Sequence, residues 1–171
     1  MQKHHHERSI KITPANAFFI VASLTFSHVA IAGEPEAIGP KLTPRLQQLL
    51  TDEMRAVKQA MGHIMNGLIT GDHALVGSMA QQIRDSFILK KELTEDDKED
   101  LMAAVSPGFV KLDGSFHKMA GMLAKVATEK HSDLQTYYFG RMVEACQECH
   151  SQYATNKFPA FGGQQTSGHG H

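Results

Sequence analysis

The sequence predicts an all-α protein folded as an antiparallel four-helix bundle. Four stretches of the 171-residue chain carry apolar residues at steps of three and four, the period of a helix with one buried face. Before two of them a hydroxyl side chain is followed by Pro, at Thr43-Pro44 and Ser106-Pro107, the pairing of an N-cap with a first-turn proline. No stretch alternates apolar and polar residues with the period of two that a half-buried strand needs.

The elements follow in order. Residues 33–41 (GEPEAIGPK) form a turn-rich leading segment. Thr43-Pro44 opens the first helix, whose stripe is Leu46, Leu50, Met54, Val57, Met61, Ile64 and Leu68, and Gly71 stops it. Asp72 caps a second helix with Leu75, Val76, Met79, Ile83 and Phe87 inward, ending near Leu89. Residues 90–106 are rich in acid (Glu92, Glu95, Asp96, Asp97, Glu99, Asp100), and Thr94 starts a short capped helix that crosses between the two halves. That charge run reads as a solvated connection, with docking of a basic partner as the alternative. Ser106-Pro107 opens the third long helix, with Phe109, Leu112, Phe116, Met119, Leu123 and Val126 inward. After a break at 128–132, Leu134, Tyr138, Met142, Ala145, Cys149 and Tyr153 mark the inward face of the fourth.

The first 32 residues read as a signal peptide. Lys3, Arg8 and Lys11 give a positive region, residues 15–32 an apolar one, and Ala30-Ile31-Ala32 a cleavage site, with cutting expected between Ala32 and Gly33. His4, His5 and His6 belong to that polar leader, and a retained membrane anchor is the competing reading. Residues 33–160 form the helical domain, and the Gly- and His-rich residues 161–171, with His169 and His171, read as a disordered tail. The chain is 42% hydrophobic and 20% charged with a formal net charge of −1, which gives no electrostatic reason to expect nucleic acid as a partner. Export implies a periplasmic protein with no stable membrane anchor after cleavage.

The only two cysteines stand in one run, Cys146-Gln147-Glu148-Cys149-His150. C-x-x-C-H is the attachment signature of c-type haem. Each thiol forms a thioether with one vinyl group, and the adjoining histidine becomes the proximal axial ligand of the iron. Two residues between the thiols let one helical turn span both vinyl positions. A thioredoxin-like dithiol would want a strand and a helix N-terminus to lower the thiol pKa, whereas more than three turns of helix precede this motif. Structural zinc would need further ligands. One covalent haem c is the expected cofactor.

Four helices, a C-x-x-C-H near the C-terminus and a long Met-bearing first helix resemble the cytochrome c-prime superfamily, the class II c-type cytochromes, from about Leu42 to Lys157. The resemblance implies one of two subtypes, a high-spin form with an apolar distal face and five-coordinate iron, or a low-spin form with a first-helix Met as sixth ligand. The family often carries a basic residue shortly after the proximal histidine. Here Gln152, Tyr153 and Ala154 fill that stretch and Lys157 is the first cation. Low-spin relatives carry their ligand Met about four to five turns before the Gly that ends the helix, and counting back from Gly71 reaches Met54. Met61 and His63 are alternatives, and core packing is the plain reading of any such Met. His117 reads as a surface residue, with a propionate contact as its alternative.

The leading expectation is a periplasmic electron carrier with His150 and Met54 as axial ligands, since a thioether opposite an imidazole favours ferrous iron. The alternative is a five-coordinate protein that binds nitric oxide or carbon monoxide near Met54, Val57 and Met61. An enzyme is not expected: Arg55 and His63 make no catalytic pair over the iron. Redox partners are unknown from sequence, and the resemblance implies a possible homodimer through the first two helices.

Overall fold

The computed structural model describes residues 35–86 and 88–161, and among them all regular structure is helical. The helices are α1 (Pro44–Thr70), α2 (His73–Asp85), α3 (Leu89–Glu92), α4 (Glu95–Ala104), α5 (Pro107–Thr128) and α6 (Ser132–Tyr153). The predicted signal peptide lies outside the described residues, as does all but Phe161 of the predicted tail. No helix of the described residues is long and apolar enough to cross a membrane.

The ends of the helices follow the local chemistry read from sequence. Thr43 accepts the Leu46 N–H, and Asp72 and Ser106 do the same for Leu75 and Phe109, each satisfying an otherwise orphaned amide. Gly71 ends α1 with φ of 72°, a left-handed conformation natural to glycine. Thr94 and Asp97 form a reciprocal capping box at the start of α4. Arg45 of α1 then donates to Asp97 at 3.0 Å and to the Glu92 carbonyl at 3.0 Å, so α4 is pinned against the start of α1.

α1 packs on α2, α2 on α5, α5 on α6 and α6 on α1, around one apolar cluster. Ile64, Val76, Ile83, Leu123 and Met142 are fully enclosed there, each burial worth about 1.5–3 kcal/mol. Small residues let the backbones approach: a Cβ on Gly67 would meet Val76 Cγ2 at 2.8 Å and the Asp72 carbonyl at 3.1 Å. The cluster on α6 reaches from Tyr138 to Met142 and stops one turn before Cys146.

Three expectations need correction. The inward face of α1 is Leu46, Leu49, Glu53, Val57, Ala60, Ile64 and Gly67, so Leu49 and Glu53 take the places expected of Leu50 and Met54, while Met61 and Leu68 pack on the apolar cluster as expected. α2 ends at Asp85 rather than near Leu89, because Ser86 takes φ of 60° and breaks the helix. Leu134 is 44% exposed, and Gln135 is enclosed in its place with its amide 3.0 Å from His73 Nδ1.

Candidate functional site

Cys146, Cys149 and His150 lie on the last two turns of α6, all three half-buried. Residues three and four apart share a helix face, so the two thiols and the imidazole belong to one side of α6. The end of the helix is held by two elements. The Gln152 and Tyr153 carbonyls, which no further helical turn could satisfy, accept the N–H groups of Glu36 and Ile38 at 2.6 and 3.0 Å. The Tyr153 ring meets the Phe109 ring edge to face at 5.4 Å. Its hydroxyl lies 3.5 Å from Ser106 Oγ, and Gly108 leaves the room it needs. The leading segment and the start of α5 thus converge on the motif.

The thiols are free, with no disulfide between them. Burial pushes both upward in pKa, and Cys149 reaches about 11 as the Asp113 carboxylate, Cys146 and Glu148 add negative charge nearby. A helix C-terminus also disfavours a thiolate. These are protonated thiols at neutral pH, the opposite of the activated cysteine of a dithiol oxidoreductase. Among the described residues no three His, Cys, Asp or Glu side chains converge as a metal-binding group, so a zinc donor set is lacking there. His150 is held below the usual imidazole range by burial, which keeps its ring neutral and its lone pair available to a metal.

His150 stacks on Phe158, ring centroids 4.3 Å apart and planes 17° apart. Lys157 reaches Thr51 Oγ1 of α1 at 3.5 Å, so the basic residue after the motif ties to α1. Met54 is 40% exposed, outside the inward face of α1. It lies one turn from Thr51 on the flank that meets the segment following His150. Val143, one turn before Cys146, and Phe158 leave further apolar surface exposed at this end.

The other sequence candidates separate from the motif. Met61 packs on the apolar cluster, His63 is exposed, and Arg55 pairs with Asp52 along α1. His117 is not a surface residue: its Nδ1 donates to the Ile83 carbonyl at 2.6 Å and its Nε2 faces Asp113 at 3.6 Å, tying α5 to α2.

Sequence reasoning missed Glu53 and Phe158. Glu53 is 1% exposed and accepts the Ile88 and Leu89 N–H groups at 2.6 and 3.2 Å. Its signal was the small residues Ala60 and Gly67, which continue the Leu46–Leu49–Glu53–Val57 spacing and mark a close approach. Phe158 carried only a weak signal, an aromatic just before Pro159 beyond the helix end. No known protein family, curated protein or solved structure matches the chain.

Proposed function

We propose that the chain is a periplasmic class II c-type cytochrome, an antiparallel four-helix bundle that carries one covalent haem c and transfers electrons. The observation that carries this reading is the C-x-x-C-H run on the last turns of α6, with free, half-buried thiols and a neutral, half-buried imidazole on one side. The residues fit the group in three further respects. The apolar cluster ends one turn before Cys146. Met54, Val143 and Phe158 leave apolar surface exposed at the same end, as a bulky apolar ligand would cover. Protonated thiols also argue against a rival dithiol chemistry.

Cys146 and Cys149 would hold the macrocycle through thioethers, and His150 would offer its ring nitrogen to the iron. Met54 would offer its thioether sulfur to the iron. When bound, haem c supplies reversible one-electron exchange at its iron. The protein's own contribution is to fix the ligands on a packed helix, keep the imidazole neutral and brace the end of that helix with the leading segment and the start of α5. The exposure of Met54 favours a second reading, a five-coordinate protein that takes up nitric oxide or carbon monoxide. Absorption spectra of the purified protein, oxidised and reduced, test both. A covalent haem with low-spin bands and resistance to carbon monoxide supports the carrier. High-spin bands with rapid carbon monoxide uptake support the second reading, and a colourless protein with both thiols free to alkylate refutes both.

A further inference from the structure

Five aromatic ring pairs occur among the described residues, and His150 with Phe158 is the pair that lies face to face; the others meet edge to face. Phe158 reaches the imidazole because the chain turns back at once after α6. The Lys157 and Phe158 N–H groups both donate to the Ala154 carbonyl, at 2.9 and 3.0 Å. Pro159 then opens a short 3-10 turn, Pro159–Phe161, whose Phe161 ring meets the edge of Phe158 at 6.4 Å. Lys157 fastens this segment to Thr51 on α1. Residues 154–161 therefore form a strap that leaves α6, passes beside His150 and is tied to α1.

We propose that Phe158 is the positioning residue of the His150 ligand, its ring fixing the plane in which the imidazole meets the metal. This rests on the cytochrome reading above. A helix fixes the Cα–Cβ direction of His150 but leaves the ring a broad torsion about its next bond. No described residue hydrogen-bonds the imidazole to narrow that torsion. A parallel phenyl face 4.3 Å away does narrow it, because turning the imidazole drives its edge into the phenyl ring. Phe158 is 40% exposed, so filling the core does not account for its position. Lys157 is engaged on α1, which leaves this flank of His150 to an aromatic ring.

The test uses the full chain purified with its haem, as wild type, Phe158→Ala, Phe158→Leu and Phe158→Tyr. Proton NMR of the ferric protein reads the haem-methyl shift pattern, which follows the azimuth of the axial imidazole. Phe158→Ala is expected to keep the covalent haem by mass and to shift the methyl pattern. Phe158→Leu retains apolar bulk against unfolding and is expected to shift it too. Phe158→Tyr, which keeps a flat ring, is expected to return the wild-type pattern. A wild-type pattern in the Ala or Leu variant, or a Tyr variant that behaves like Ala, overturns the proposal while leaving the cytochrome reading intact. A wild-type protein without covalent haem overturns that reading and this proposal with it.

Discussion

The Glu53 carboxylate accepts the backbone N–H of Ile88 at 2.6 Å across 35 residues of chain. The N-cap of α3, Ile88, has no side-chain cap of its own, so a residue from the middle of α1 supplies one for the Ile88 and Leu89 amides. The same bond fixes the rotation of α1 about its axis, and with it the flank that carries Met54.

Replacing Glu53 with Ala strands two half-buried amides. The expected loss is about 3 kcal/mol, since an unsatisfied buried donor costs about 1–3 kcal/mol. Glu53→Gln keeps an accepting oxygen and is expected to lose about 1 kcal/mol. Urea unfolding measures both, and equal stability of the Ala variant and wild type would refute the latch.

Two glycines of α1 give a matched pair. A Cβ at Gly67 meets Val76 Cγ2 at 2.8 Å and the Asp72 carbonyl at 3.1 Å, whereas one at Gly62 meets nothing within 4 Å. Gly67→Ala is expected to destabilise by about 1–3 kcal/mol, the usual cost of overpacking. Gly62→Ala is expected to stabilise by about 0.5–1 kcal/mol, because alanine loses less backbone freedom in a helix. Thermal unfolding separates them by the sign of the change.

Where an element was set by its own few residues, the sequence was readable. Thr43, Asp72, Thr94 and Ser106 all cap as their local pattern implies, because a cap needs only an oxygen and the next amides. Which face turns inward depends on partners far away in the chain. Leu50 and Met54 look more buriable than Glu53, yet the uncapped amides at Ile88 and Leu89 draw the carboxylate inward. Leu134 loses to Gln135 for the same kind of reason, through His73. The cysteines and His150 were legible as a motif, while Phe158 depends on a turn after α6 that no periodicity encodes.

The thiols give a pH prediction for the haem-free chain. Cys149 stands at about 11 in the native protein against an ordinary thiol value of 9.0, chiefly through burial. A raised thiol pKa means that the native state holds its proton more tightly than the unfolded state. That stabilisation is fully present below pH 9 and is lost as pH rises through about 11. Native-state alkylation by iodoacetamide is therefore expected to be slow at pH 8 and to climb toward pH 11, whereas the chain unfolded in urea reacts readily near pH 9. Fast native labelling at pH 7 would refute the enclosed, protonated state.

Met54 is the residue on which the two functional readings divide. It is 40% exposed, so Met54→Ala removes little buried area and is expected to cost about 1 kcal/mol or less in stability. A spectral change in that variant therefore reports ligation rather than unfolding. Its neighbour Thr51, one turn away, is touched by Lys157 from the strap beyond His150, which brings this flank of α1 to the motif's end of the molecule. If Met54 sulfur ligates the iron, Met54→Ala is expected to change a low-spin spectrum to high spin and to admit carbon monoxide to the reduced protein. Met61→Ala is expected to leave the spectrum unchanged, since Met61 packs on the apolar cluster. An unaltered ferrous spectrum and reduction potential in the Met54 variant would remove the thioether and leave the five-coordinate reading in its place.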